Sequence, residues 1–343
     1  MKNIILSDMP LDEEWDFRKG LEKATGKTWE IKSCVSNKGR KGLYNFTRYF
    51  LYFYFPFIIF LNRKKYNKIV AWQAFYGVLL AFYCRLFHVR KQNFILIKNF
   101  TYKPKGRGLV GKLYFKWMNY TVKSGYIDIF VCTSQTFCDY CSMVFQEEPR
   151  KFVYLPFGVE DCSKQFVRSE PGPDKGYYLS LGRSNRDWQL LIDTFSGLDK
   201  QLVIICDELK ASGLPANITL LKNVWGIESY KYIRNCRAMI IPIADGKIGS
   251  GETVLLQTMS LAKPIIITEP SCLADDYIRN NENGLVVEKD VQKLRQIIIR
   301  IDDDAEMRMR IGRNGRDCYD KQHSIFQYGI SVGTLINNPE KAI

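Results

Sequence analysis

Residues 177–206 read YYLSLGRSNRDWQLLIDTFSGLDKQLVIIC. Two short β-rich runs, 177–181 and 202–206, bracket a helical stretch over 188–195, and a Gly-Arg turn joins the first run to the helix. Strand, helix and strand in that order form one crossover unit, which places the two strands parallel in a sheet. The rhythm continues downstream. Strands are expected at 218–221, 238–242, 264–268 and 285–287, and helices at 228–236, 253–261, 291–300 and 305–320.

Upstream the same alternation has already run once. Strands are expected at 3–6, 29–34, 68–72, 94–98, 129–133 and 152–155, with helices such as 73–87 and 111–124 between them. Residues 161–176 interrupt the pattern with Pro171, Gly172, Pro173 and Gly176 and are expected to be a linker. A chain of 343 residues suits two domains of ordinary size. The expected fold is therefore α/β: two Rossmann-like doubly wound domains facing a cleft. The first occupies 1–160, the second 177–322, and residues 323–343 form a C-terminal segment returning to the first. Ligands of such sheets bind at the carboxyl ends of the strands.

Charge is divided unequally between the halves. Residues 1–160 hold 26 Lys and Arg against 12 Asp and Glu, whereas residues 161–343 hold 24 of each. Between 31 and 127 there are 19 basic residues and no acidic one. A solvated surface normally mixes both signs, so this region is expected to meet an anionic partner. Residues 49–61 read YFLYFYFPFIIFL, with Arg40, Lys41 and Arg48 before them and Arg63, Lys64, Lys65 and Lys68 at or after their end. That run is too short to span a bilayer, which needs about 20 residues. It suits an interfacial position with the cations on anionic headgroups; a buried core helix is the alternative. Nucleic acid would call for isolated aromatics among basic residues on strands, so no nucleic-acid partner is expected.

The ten cysteines are scattered through apolar contexts and are expected to be free thiols of a reducing compartment. Cys138 and Cys141 have no second pair to complete a zinc set, and the chain has two histidines, so no metal site and no cofactor are expected. The apolar start at 1–6 is too short for a signal peptide and reads as a first strand. The expected location is the cytoplasm, peripheral on the inner face of the cell membrane.

Two loops of the second half suit a diphosphate. Arg183 and Arg186 stand in the turn after the 177–181 strand, where forked guanidinium groups can meet phosphate oxygens. Residues 246–253 read GKIGSGET, a glycine-rich loop opening a helix, whose backbone N–H groups can approach an anion. A plain turn with Ser250 as helix cap is the simpler reading of that loop.

Residues 177–300 resemble the donor domain of the retaining GT-B glycosyltransferases of the large family-four group. Residues 178–183, YLSLGR, resemble its G-R turn, with Arg186 where lysine is usual. Residues 255–266, LLQTMSLAKPII, resemble its L-L-E-A-M-A-x-G-x-P-V-I run, and 283–287, NGLVV, its N-G-L-L-V. Residues 155–160, LPFGVE, resemble the I-P-N-G-V-D near its interdomain linker. The family's two glutamates, eight positions apart, fall here on Gly249 and Gln257, and Glu252 is a candidate substitute.

The resemblance implies transfer of a sugar from a nucleotide diphosphate sugar, UDP before GDP, with retention and without a metal. Arg183, Arg186 and Glu252 are the candidate catalytic residues. Gly182, Val224, Gly249, Ser250, Gly251, Thr253 and Gln257 are the candidate nucleotide-sugar contacts. The first domain is expected to hold a saccharide acceptor, lipid-linked and belonging to bacterial surface-polysaccharide assembly, with Asp8, Gln73, Asn99, Lys103 and Lys105 as candidate contacts. A catalytically silent nucleotide-sugar-binding protein and an inverting transferase using Asp8, Asp12 or Glu13 remain open alternatives. Asp302 and Asp304, the one D-x-D, read as a solvated turn.

Overall fold

The computed structural model describes residues 1–34, 43–106, 108–132, 134–167, 174–248 and 250–339. Contacts divide the chain into a first unit, Met1–Pro156 with Phe326–Ile343, and a second, Phe157–Ile325.

The first unit runs β1 (Lys2–Ser7), α1 (Asp16–Thr25), β2 (Trp29–Ser33), α2 (Leu43–Leu61), β3 (Tyr66–Ala71), α3 (Ala74–Leu86), β4 (Phe94–Ile97), α4 (Leu109–Val122), β5 (Ile129–Cys132), α5 (Gln135–Phe145) and β6 (Phe152–Tyr154). Its six strands are all parallel, in the order β2-β1-β3-β4-β5-β6. Sheets covered on both faces need continuous apolar strands, and Ile4, Ile5 and Leu6 or Ile95, Leu96 and Ile97 are accordingly buried without alternation.

The second unit runs β7 (Tyr177–Leu181), α6 (Trp188–Ser196), β8 (Gln201–Ile205), β9 (Ile218–Leu221), α7 (Ile227–Asn235), β10 (Met239–Ile241), α8 (Glu252–Ser260), β11 (Ile265–Glu269), α9 (Cys272–Tyr277), β12 (Leu285–Glu288), α10 (Val291–Asp303) and α11 (Ala305–Cys318). These strands too are parallel, in the order β12-β11-β10-β7-β8-β9. Side-chain caps set several helix starts. Asp187 accepts from Leu190 N at 3.0 Å, Asp290 from Lys293 N at 2.8 Å and Asp304 from Met307 N at 2.7 Å. The α/β class with two doubly wound units is the one the alternation implied.

Each sheet has one point where strand order reverses, between β1 and β3 in the first and between β7 and β10 in the second. Loops leaving adjacent strands toward opposite sides open a crevice there.

Two features differ from the sequence reading. Residues 161–167, expected in the linker, pack on the second unit: Arg316 holds both Asp161 carboxylate oxygens, at 2.9 and 2.8 Å. Asp302, expected in a solvated turn, is half-buried in α10 and takes bonds from Tyr178 Oη at 3.1 Å, Lys200 and Arg237. Burial alone would raise its carboxyl, but those donors outweigh it and hold it at about 2. Helix α12 (Ile325–Asn337) packs on α1 within the first unit, in line with the expected return of residues 323–343, and Gly20 and Gly329 allow near backbone contact there. A Cβ on Gly20 would stand 2.0 Å from the Phe326 carbonyl oxygen, and one on Gly329 2.2 Å from that of Phe17. All ten cysteines are free thiols.

Candidate functional site

At the end of β7 the chain turns at once toward α6, and Gly182 takes a φ of 153° to do so. Asn185 follows in the left-handed region, φ 55°. Its side chain laces this turn to the loop after β10: Nδ2 donates to the carbonyl oxygens of Asp245 and Ile248 at 3.0 and 3.1 Å, and Oδ1 accepts from Asp245 N at 2.7 Å. The Ser184 and Ser250 hydroxyls lie 3.2 Å apart. Two loops from the strands flanking the reversal thus form one rigid rim.

Arg186 turns inward beneath that rim and is 8% exposed. Its guanidinium lies against two glycines. A Cβ on Gly182 would sit 2.9 Å from Nε, and one on Gly251, whose φ is 115°, would sit 2.8 Å from Nη2. Nε has no hydrogen-bond partner, and the Nη atoms reach only main-chain carbonyls of Leu181, Ser184, Asn185 and Ser250 at 3.3 to 3.5 Å. Among the described residues no carboxylate pairs with it. Burial pushes its pKa down to about 10. A buried charge left without an opposite charge is costly, and a bound anion would offset that cost.

Helix α8 adds to the same field. Its N-cap is Gly251, with no side-chain cap, so Ser250 does not play the role that the simpler reading gave it. The first-turn N–H groups therefore have no side-chain acceptor, in contrast to those of α6 under Asp187. Glu252 opens the helix, and burial, aided by Asp276, pushes its carboxyl above the usual carboxylate range.

These groups line a pocket of about 340 Å³ that holds Gly182, Arg183, Ser184, Arg186, Val224, Ser250, Gly251, Glu252 and Thr253 together. Arg183 is exposed at its rim. Gln257 does not line it; its Nε2 bonds the Tyr230 hydroxyl at 3.4 Å, further along α8. Gly249 lies outside the described residues, as do Arg40, Lys41 and Arg107. Asp207 and Trp225 also line the pocket and were missed in the sequence. Trp225 Nε1 donates to Asp207 Oδ2 at 3.1 Å, while Asn223 N donates to Oδ1 at 2.7 Å. An exposed tryptophan in a loop after a strand was the available signal.

In the first unit the reversal point brings Asp8 and Gln73 together. Gln73 caps α3 by accepting from Phe75 N at 3.3 Å and donates to Asp8 Oδ2 at 2.8 Å. Tyr52 of α2 donates to the same oxygen at 2.9 Å. A pocket of about 370 Å³ beside Tyr52 is lined by Arg48, Tyr49, Phe53 and Phe75 as well. Tyr52 had no distinguishing signal within its aromatic run. Asn99, in the left-handed region with φ 53°, and exposed Lys103 and Lys105 lie in the stretch after β4 and are not among the residues lining that pocket. Lys98, the last residue of the expected 94–98 strand, is buried, with Nζ 3.5 Å from the Trp72 ring centroid. Burial lowers its pKa to about 7.

A larger cavity, about 730 Å³, lies between β6 and α12. It is lined mainly by sheet-edge and helix side chains, and its Arg150 pairs with Glu148 at 2.5 Å. Among the described residues no group of three or more His, Cys, Asp or Glu is placed to hold a metal ion.

Residues 165–317 match the family model of glycosyl transferases group 1. No curated protein sequence matches the chain. Solved structures share its fold over nearly its full length. Sucrose-phosphate synthase from Thermosynechococcus elongatus is 15% identical, with 100% of both chains covered and a TM-score of 0.64. Anabaena Alr3699/HepE in complex with UDP is 10% identical over 98% of this chain and 100% of that one, TM-score 0.63. A glycosyltransferase from Rickettsia africae ESF-5 is 14% identical over 99% of both, TM-score 0.61. The fold is thus the two-domain α/β fold of GT-B glycosyltransferases, and the resemblance read from 177–300 falls inside the matched group 1 region.

Proposed function

We propose that this chain transfers a sugar from a nucleoside diphosphate sugar, UDP-linked in preference to GDP-linked, to a lipid-linked saccharide in surface-polysaccharide assembly at the cytoplasmic face of a bacterial membrane. The observation that carries the reading is the buried Arg186 guanidinium, without a carboxylate partner among the described residues, at the strand reversal of the region that matches the group 1 model. It supports a diphosphate there, with the α8 first-turn amides and Arg183 as further donors. The UDP bound by the similarly folded Anabaena protein favours uridine.

In the transfer, the bond between anomeric carbon and β-phosphate oxygen breaks and its electron pair stays on the diphosphate. The acceptor hydroxyl oxygen bonds to the anomeric carbon, and its proton passes to the leaving phosphate. Arg186 and the α8 amides hold the charge that grows on that phosphate in a fixed field. Glu252, whose carboxyl burial holds above the usual carboxylate range, lines the same pocket. Asp8 receives an acceptor hydroxyl beside Tyr52 and Gln73. No resident metal takes part, so transfer should persist in excess EDTA.

Thermal unfolding in the presence of UDP, GDP, ADP and their sugars is the first test. A ligand that binds only the folded protein at 100 times its Kd stabilises it by roughly 2.7 kcal/mol. A shift with UDP and UDP-sugars larger than with the others is the expected result. No shift with any nucleotide would remove the donor site. Nuclear magnetic resonance of the product reads retention or inversion directly.

A further inference from the structure

Helix α2 is largely apolar, with Thr47 and Arg48 near its start, yet only one side faces the core. Pro56, Ile59 and Phe60 are buried, and Tyr52 and Phe55 pack against the same core. On the other side Phe46, Tyr49, Phe50, Phe53, Tyr54 and Leu61 are exposed. The first five follow the helical spacing i, i+3, i+4, i+7 and i+8, so they form one aromatic stripe. Of the 21 large hydrophobic residues exposed on the described protein, 12 fall between 46 and 115. A stripe of this kind on a surface is rarely left to water.

Cations accompany the stripe. Lys64 and Lys65 stand exposed in the single 3-10 turn directly after α2. Helix α4 packs on α3, as α2 does, and its exposed side reads Leu109, Lys112, Leu113 and Lys116 at helical spacing. No ion pair is found for these four lysines among the described residues, and the sequence offers no acidic residue from 31 to 127 to make one. No described helix is long and apolar enough to cross a membrane.

We infer that the α2 stripe and the α4 face form a docking surface for an anionic lipid bilayer, with the aromatics in the headgroup layer and the lysines on lipid phosphates. The inference deepens the proposed membrane location by naming the surface and the lipid class, and it rests on that reading only there. Charge decides the occupant. A second copy of the same face would bring lysine against lysine, whereas an anionic bilayer is complementary to both the charge and the apolar stripe. Tyrosine suits the headgroup layer because its ring meets apolar chains and its hydroxyl meets water, and phenylalanine buries its ring at the boundary of headgroups and acyl chains.

Flotation with vesicles of phosphatidylcholine alone, or of phosphatidylcholine with phosphatidylglycerol, tests the surface. The full chain should float with the anionic vesicles, and less as salt rises. Lys64→Gln with Lys65→Gln should weaken partition roughly fivefold per lysine. Phe46→Ser, Phe50→Ser and Tyr54→Ser together should weaken it by at least about tenfold, while Ile299→Ser with Met309→Ser, on the second unit, should not. In a Phe50→Trp protein the fluorescence should move to shorter wavelength on anionic vesicles. UDP-induced thermal shift, recorded on every variant, reports folding and keeps this result separate from the donor-site proposal. Equal flotation with neutral vesicles, undiminished flotation of the stripe variant, or a dimer that the stripe variant dissociates would each overturn the inference.

Discussion

The same architectural point, the reversal of strand order, carries opposite chemistry in the two units. In the second it holds a buried guanidinium between Gly182 and Gly251 with no carboxylate opposite among the described residues. In the first it holds a buried carboxylate, Asp8, that accepts from Tyr52 and Gln73. One topology therefore presents two chemistries by the side chains it turns inward. A buried cation awaits an anion; a buried carboxylate among hydroxyl and amide groups suits a hydroxylated ligand. The units differ also in where their cations lie. The second balances Lys and Arg with Asp and Glu, while the first leaves a broad stretch of cations without acidic residues near them in sequence.

The comparison breaks most readily at Arg186. Arg186→Ala should weaken UDP binding by roughly 1.5–3 kcal/mol, the range for hydrogen bonds to charged groups. Calorimetric titration with UDP measures it. Unchanged affinity would mean the guanidinium serves only the fold.

At the other reversal point Asp8→Ala should leave UDP affinity as it is and cost about 1–2 kcal/mol of stability, because the Tyr52 hydroxyl and the Gln73 amide lose their acceptor. It should also reduce transfer. Denaturant unfolding and a transfer assay give the two numbers. A variant with native transfer activity would free Asp8 of any role with the acceptor.

Lys98 sharpens the contrast, since it is a buried cation of the first unit placed on aromatic rings instead of in a ligand pocket. Its pKa in the folded protein is about 7, against 10.5 for an ordinary lysine. Between those values the unfolded chain binds more protons than the folded one, so this lysine's contribution makes stability rise with pH. Below about pH 7 both states are protonated and the slope vanishes. Relative to Lys98→Met, the native protein should gain about 2 kcal/mol from pH 7 to 9. Parallel stability curves for the two proteins would show that Lys98 titrates normally.

The smallest effect is expected at Arg183. Exposed at the rim, it is screened and free to move, and Arg183→Ala should cost UDP binding less than about 1 kcal/mol. A loss equal to that of Arg186→Ala would place the two arginines on the diphosphate alike.

Much of the second unit is legible in its sequence because its signals are local. The strands at 177–181 and 218–221 read correctly, and the others fall within about a residue, since β-branched runs between turn residues leave little choice of conformation. The glycines and arginines of the two loops are legible for the same reason: a tight turn needs glycine wherever it is met. Tertiary structure alone decided which of the two arginines is buried. Arg183 and Arg186 are alike in sequence, and only the approach of Gly251 from another strand encloses one of them. It alone decided that Asp302 is a half-buried acceptor of three donors, that Tyr52 leaves its aromatic run to meet Asp8, and that Lys98 sits on Trp72. It also decided which side of α2 is exposed. Each of these depends on residues far apart in the chain, and burial, which sets the energy of a charge or an aromatic ring, is a property of that assembly and not of the residue.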